Sequence, residues 1–331
     1  MRKIRIMELI RGLHNLKHQS GCVLTIGNFD GVHVGHQEIL KKLVSTAKNK
    51  GIPSLVISFS VTPESFFGRT KARLSSFRDK HLFLESLGID KHLLIRFNKT
   101  FSEISAESFI NQTLVNKVGV KHCFIGDDFR FGKDRLGDFS MLQEMSSENG
   151  YLVDKINGVN LDGQRISSSA IRKLLSQGDF KKAETYLGRP FSISGRVAHG
   201  EKIGRTIGFP TANISIRRKL SPVLGVYSVL VKINDTTYTG VCNIGKRPTI
   251  GGTKVLLEVF IFNFNQEIYG EYVTVIFKQK SRDEFKFNSF EELKSQIKND
   301  VEKSQEYFGA TYCRSFPYIT DPSIYSFIDF N

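Results

Sequence analysis

Tryptophan is absent from the 331 residues, and cysteine, methionine and proline are scarce at four, four and eight. The cysteines (Cys22, Cys123, Cys242 and Cys313) lie far apart without the close pairing of a zinc knuckle. Neither a disulfide framework nor a thiolate metal site is therefore expected, and free thiols in a reducing cytoplasm are. No apolar run approaches the roughly 18–20 residues that span a bilayer. The start, "MRKIRIMELIRGL", is basic, but its apolar stretch is short and no small-residue cleavage site follows. No signal peptide is expected there. Acidic residues are also in deficit, with 33 Asp and Glu against 47 Lys and Arg, for a formal charge of +14. The basic residues are spread along the chain rather than massed. Nucleic acid, a polyanionic small substrate such as a nucleotide, and a merely lysine-rich solvated surface all remain open on charge alone.

What is present is an ordinary globular composition, 40% apolar and 24% charged, in a chain long enough for two domains. The first half alternates strand and helix patterns. "CVLTIG", "PSLVISF", "KHLLIRF", "VKHCFIG" and "YLVDKI" read as strands. Between them, "GHQEILKKLVSTAKNKG" puts Ile39, Leu40, Leu43, Val44 and Ala47 on one helical face, with Gly51 as a stop. "SFRDKHLFLESLG", "SAESFINQTLVNKVG" and residues 138–149 read as further helices, and two short ones close the half at 166–188. This rhythm predicts βαβ units and a Rossmann-like parallel sheet. After Gly188-Arg189-Pro190 the period changes to two. "SISGRVA", "GVYSVLVKIN", "TTYTGVCNIG", "KVLLEVFIFN" and "YVTVIFKQKSR" predict an antiparallel, closed β-barrel, and residues 289–308 a terminal helix. The last stretch, 310–331, carries no assignable pattern or role.

"GNFDGVHVGH" (27–36) sits at the carboxyl end of the first strong strand, where ligands bind open α/β sheets. Asn28, Gly31 and Gly35 permit close backbone approach, and the helix that follows aims its first N–H groups into the loop. His33 and His36 then face the same anion and can offset charge in phosphoryl or nucleotidyl transfer. A metal pair is the rival reading, but no matching third ligand is evident. "RISSSAIRKLL" (165–175) supplies a second element. Ser167–Ser169 stand at an N-cap position and Arg172 one turn on, together resembling a phosphate cradle.

In the second half, "GRVAHGEKIGRTIGFPTANI" (195–214) is a glycine-rich loop ending in two oxygen donors. Thr211 and Asn213 fall on one side of an extended segment and suit Mg²⁺, while a turn-rich barrel entrance explains the loop alone equally well. "GVCNIGKR" (240–247) has P-loop spacing, but Arg247 stands where Ser or Thr is required and no helix follows, so it is rejected. Glu258 is a lone carboxylate in the apolar strand "VLLEVFIFN". It shares a face with Leu256, Phe260 and Phe262, a placement that favours a general base for an alcohol over an irrelevant exposed acid.

"GNFDGVHVGH" with "ISSSAIR" resembles the signature pair of the prokaryotic bifunctional riboflavin kinase/FAD synthetases. "RLSSFRDKHLFLESLGID", "SAESFINQTLVNKVGVKH" and "IGDDFRFGKDRLGDF" are similar to that family's blocks in the same order, and the second half resembles its kinase module. The resemblance covers roughly residues 15 to 308. It implies an adenylyltransferase domain at 1–187, a riboflavin kinase domain at 188–309, and a tail of unknown role at 310–331. It further implies that Gly27, Asn28, Phe29, Asp30, Gly31, Gly35, Ser168, Ser169 and Arg172 bind ATP, with His33 and His36 catalytic. Asp128 and Phe129 would shape the flavin side. In the kinase module it implies ATP contacts from Gly204, Gly208 and Pro210, Mg²⁺ at Thr211 and Asn213, and Glu258 activating the ribityl 5′-hydroxyl. The chain departs from the family pattern at Ser60-Val61-Thr62, at Ser169 in place of threonine, and at Phe260 where histidine is common.

The expected function is ATP-dependent phosphorylation of riboflavin to FMN, then adenylylation of FMN to FAD with release of pyrophosphate. The expected partners are small molecules, with no nucleic acid and no membrane, in a cytoplasmic monomer or weak homo-oligomer. A riboflavin kinase with an impaired adenylyltransferase domain is the alternative, motivated by residues 60–62. A basic nucleic-acid-binding protein is a more distant one.

Overall fold

Cys22–Ile26 (β2) is buried at all five positions, as a central parallel strand covered on both faces must be. It belongs to a six-stranded sheet with Glu8–Arg11 (β1), Ser54–Val61 (β3), Lys91–Arg96 (β4), Val120–Gly126 (β5) and Leu152–Ile156 (β6). The spatial order is β1-β4-β3-β2-β5-β6, and every pairing is parallel. The chain walks from β2 through β3 to β4, then returns to place β5 on the other flank of β2. The direction of winding therefore reverses at the carboxyl end of β2, the crevice position for a ligand in this class of sheet. A short hairpin pairs Asn160–Leu161 (β7) with Gln164–Arg165 (β8).

This computed structural model describes residues 6–17, 21–199, 209–216, 218–249 and 252–311. The chain forms two compact units. One comprises residues up to Ser168 apart from Ala72–Ser76, and the other comprises Ala72–Ser76 and residues from Ser169 onward.

Helices of the first unit cover both sheet faces. They are Val34–Lys50 (α1), Pro63–Phe66 (α2), Phe77–Ser86 (α3), Lys99–Ser102 (α4), Ala106–Ser108 (α5) and Phe139–Asn149 (α6). Leu40, Leu43 and Ala47 of α1 pack with Val23, Val56 and Leu84 on one face. Leu24, Leu55 and Leu93 pack with Ile110 and Leu114 on the other, as the alternation of strand side chains requires. Helix α1 ends at Gly51, whose φ of 66° closes the last turn through bonds to Ala47 and Lys48 carbonyls. Two features differ from expectation. The predicted helix after Ser105 runs largely as a π-helix over Phe109–Val118. Strand β1 was not anticipated, because "ELIR" is too short and polar to show a period and gains its place by pairing with β4.

Ser168–Ser176 (α7), whose first residue belongs to the first unit, and Phe180–Leu187 (α8) precede the barrel strands of the second unit. These are Ser192–Ala198 (β9), Ala212–Ser215 (β10), Gly225–Ile233 (β11), Thr236–Thr249 (β12), Gly252–Ile261 (β13) and Tyr272–Arg282 (β14). They close in the order β10-β13-β12-β11-β14-β9, all antiparallel. The terminal helix Phe290–Thr311 (α9) sets Val301 and Phe308 against Val226, Leu230, Val241 and Ile276. Arg282 fastens this helix to the end of β14. Its Nε lies 3.0 Å from both Asp300 carboxylate oxygens and its Nη2 lies 2.7 Å from Oδ2. Gln296 donates to the same carboxylate at 2.9 Å, and the guanidinium covers the Phe285 ring at 4.5 Å.

Among the described residues, no helix is long and apolar enough to cross a membrane. Gly204 and Gly208, and the stretch beyond Thr311, lie outside the described residues.

Asp300 is buried and Arg282 largely so, so removing one partner strands the other. Asp300→Ala is expected to cost about 3 kcal/mol of stability, read as a lowered urea midpoint of the full chain. Replacing both residues by methionine is expected to recover most of the loss.

Candidate active site

The loop leaving β2 is strongly bent. Phe29, Gly31 and Val32 have φ of 48°, 81° and 39°, a left-handed region that a β-branched residue such as Val32 rarely enters. Phe29 and Val32 are nonetheless buried at 2% and 0% exposure, so packing dictates the turn. His33 is the N-cap of α1, and its Nδ1 accepts the His36 backbone N–H at 3.3 Å. Since Nδ1 acts as an acceptor, the neutral ring carries its proton on Nε2, which becomes the donor. The His33 and His36 rings stack with centroids 3.6 Å apart. Both imidazoles thus sit at the positive end of a 17-residue helix, where an anion is favoured. A Cβ at Gly35 would fall 3.3 Å from His33 Nδ1, so glycine there keeps the cap unobstructed. The Ser168 hydroxyl donates to the Asp30 carbonyl at 2.9 Å, which ties the start of α7 to the loop and commits its one proton.

A polar chain not foreseen from the sequence lies behind the loop. Lys80, 8% exposed, donates to the Asn28 carbonyl at 3.1 Å and to Ser58 Oγ at 3.2 Å. Ser58 meets His92 Nε2 at 2.7 Å, and His92 Nδ1 meets His81 Nδ1 at 3.1 Å. Burial, then the charge of Lys80, then His81 pushes His92 down to about 3. Asn28 donates to Glu64 at 3.2 Å, and its own Oδ1 is buried with no hydrogen-bond partner among the described residues.

Other expected residues are placed as follows. Phe129 stacks on Phe131 at 5.6 Å. The Asp128 side chain is 82% exposed and lies 3.8 Å from Arg165, whereas Asp127 makes the close ion pair with that arginine. In the second unit, Arg172 Nε donates to the Ala72 carbonyl at 2.6 Å. Thr62, within the departing stretch, caps α2 by accepting from Ser65 N–H.

The barrel gathers its polar groups by register. Val255, Leu257, Val259 and Ile261 of β13 are buried, while Leu256, Glu258 and Phe260 of the opposite face are half-buried. Asn213 of β10 stands opposite Glu258, and so does Asn243 of β12. The carboxylate thus lies between two amides in one row across three strands, with cross-strand neighbours about 5 Å apart. The Glu258 side chain is 29% exposed, with Arg247 Nη2 at 4.0 Å. The Asn243 Oδ1 is buried without a hydrogen-bond partner among the described residues. The carboxylate end of Glu284 lies against Gly245, two residues along β12. Phe209, just ahead of Pro210 and Thr211, packs edge-on to Phe260 at 5.4 Å. Asn243 was missed because it appears in the sequence only inside the rejected P-loop-like run. Its signal was the strand register, which no local pattern carries.

Stacked imidazoles at a helix start stabilise anionic oxygens, and a half-buried carboxylate between two amides suits deprotonation of a hydroxyl. Together with the two folds these features are those of a transferase. Comparison with known proteins gives the particular family. Residues 15–170 match the FAD synthetase model and residues 187–308 the riboflavin kinase model. The Haemophilus influenzae bifunctional riboflavin kinase/FMN adenylyltransferase is 49% identical over 92% of this chain and 100% of its own length. The Escherichia coli K12 enzyme of the same description is 44% identical over 92% and 99%. A solved Streptococcus pneumoniae structure, described as a macrolide-efflux protein, superposes with TM-score 0.76 at 31% identity, covering 91% of this chain and 99% of that one. The chain belongs to the bifunctional riboflavin kinase/FMN adenylyltransferase family. It phosphorylates riboflavin to FMN with ATP and adenylylates FMN to FAD.

The buried His92 gives this unit a pH signature. Its folded value lies below the ordinary imidazole value, so below about pH 6.5 the unfolded chain takes up the proton first. Stability is therefore expected to fall as pH drops from 6.5 toward 3, by up to about 1.4 kcal/mol per pH unit. Thermal unfolding of His92→Gln between pH 7 and 5 should show a flatter dependence than the parent chain.

Proposed function

We propose that the two activities divide near residue 187, with FMN adenylylation in residues 1–187 and riboflavin phosphorylation in 188–309. In the kinase half, Glu258 accepts the proton of the ribityl 5′-hydroxyl as that oxygen attacks the γ-phosphorus of ATP, and ADP departs. Proton transfer by a positioned carboxylate contributes typically ~10²–10⁴-fold. Asn213 and Asn243 flank the carboxylate and hold neighbouring oxygens of the substrates. The register of Asn213, Glu258 and Asn243 is the observation that carries this assignment.

Mg²⁺ suits the same place. Thr211 and Asn213 offer neutral oxygen donors at the start of β10, the hard ligand type that this ion takes together with phosphate oxygens. When bound, the ion supplies charge neutralisation of the ATP phosphates. Gly204, Gly208 and Pro210 are assigned to ATP on the family resemblance.

In the adenylyltransferase half, an oxygen of the FMN phosphate attacks the α-phosphorus of a second ATP, and pyrophosphate leaves. His33 and His36 stabilise the charge on the triphosphate through ring N–H groups at the start of α1. Residues 27–31 and Gly35 line the nucleotide, and Ser168, Ser169 and Arg172 are assigned to the triphosphate on the family resemblance. Asp128 and Phe129 are assigned to the flavin side. We place the enzyme in the cytoplasm as a monomer or weak homo-oligomer that handles small molecules and not nucleic acid.

Incubating the purified chain with riboflavin, ATP and Mg²⁺ and separating the flavins tests this reading. The parent is expected to yield FAD by way of FMN. Glu258→Ala should lose riboflavin phosphorylation by roughly 10²-fold or more yet still convert added FMN. His36→Ala should stop at FMN. Full kinase activity in Glu258→Ala, or full FAD formation in His36→Ala, overturns the corresponding assignment.

A further inference from the structure

The loop between β2 and α1 is held from behind by side chains. The Asn28 carbonyl accepts from Lys80 Nζ at 3.1 Å, the Asp30 carbonyl from Ser168 Oγ at 2.9 Å, and the Val32 carbonyl from Gln37 Nε2 at 2.9 Å. These three acceptors are alternate residues of one strained loop, and the three donors stand on three helices, α3, α7 and α1. Of the donors, Lys80 reaches deepest. It is buried, and its second bond to Ser58, which itself bonds His92, roots it in β3 and β4 of the sheet. The bonds lie immediately before His33, so the backbone they hold sets where the stacked imidazoles stand.

We propose that Lys80 is a positioning residue for adenylyl transfer. It fixes the Asn28 carbonyl against the sheet and, with Ser168 and Gln37, keeps the carbonyl edge of the loop directed into the protein. The loop can then meet a triphosphate without carbonyl oxygens turning toward the phosphates, and His33 and His36 are held at their working positions. Positive φ at Phe29 and Val32 is the conformation these bonds hold in place. Without the Lys80 bond the loop relaxes, and misplacement of about 1 Å at a reacting centre costs ~10² in rate. The proposal rests on the reading that this loop holds the triphosphate.

The test uses the full chain, because riboflavin phosphorylation by the other half reports on the integrity of the same preparation. Lys80→Met keeps the length of the side chain and removes the donor. Its kcat for FMN to FAD is expected to fall about 10²-fold, with KM for ATP changed by only a few-fold and FMN formation from riboflavin unchanged. Gln37→Met loses the neighbouring carbonyl bond and should show the same kcat-weighted signature. The double variant should then fall short of the product of the single losses, because both act on one loop. His36→Ala in parallel separates the two ideas: if it leaves FAD formation intact, the underlying site reading fails. If His36→Ala abolishes FAD formation while Lys80→Met keeps kcat within two-fold of the parent, the positioning role is overturned. A loss confined to KM, or one equal in both activities, overturns it as well. Should Lys80→Met prove insoluble, Gln37→Met carries the same kcat-against-KM reading, and a parental kcat there overturns the clamp.

Discussion

The loop from Asn28 to His33 holds a backbone that its own residues disfavour, and the placing of the His33 and His36 imidazoles depends on that constraint. Phe29 and Val32 are buried in this loop, and both stand at positive φ. A buried carbonyl needs a donor, and three helices each supply one. The same turn delivers the chain to α1 with His33 as its cap, so that both imidazoles stand at the positive end of the helix dipole. Sheet topology selects the location, since the winding reverses beside β2.

The two halves differ in chemical equipment because their nucleophiles differ. Under the proposed assignment, the neutral ribityl hydroxyl meets Glu258 as its base, in register between Asn213 and Asn243. The phosphate of FMN is already anionic near neutral pH and needs no base. What it needs is relief of charge repulsion with ATP, and in the proposed mechanism that task falls to the imidazoles at the start of α1. The barrel in turn relies on α9, which covers Val226, Leu230, Val241 and Ile276 and is locked by the Arg282–Asp300 pair.

Much of this was legible in the chain. The change of period after Gly188 marks the passage from α/β to barrel, and His33, His36 and Glu258 stood out as polar residues in settings that do not favour them. The Ser60-Val61-Thr62 departure is accommodated locally, with Thr62 serving as the cap of α2. Other features left no local trace. Lys80 reads as one more lysine of a basic chain, until the fold sets it at 8% exposure under a loop 52 residues away. Asn243 lies within a run that mimics a P-loop, and only the pairing of β12 with β13 sets it beside Glu258. Strand β1 has no pattern of its own and exists because β4 offers it an edge.

The sequence by itself determined the periods of its strands and helices and the change from an α/β to a barrel pattern after Gly188. Those properties follow from side-chain alternation, capping and glycine freedom, all of which act over a few residues. Only the tertiary structure decided which donors close the carbonyls of the β2–α1 loop and which amides flank the barrel carboxylate. Register across strands and burial beneath a loop join residues far apart in the chain, and no local pattern encodes a distance between them.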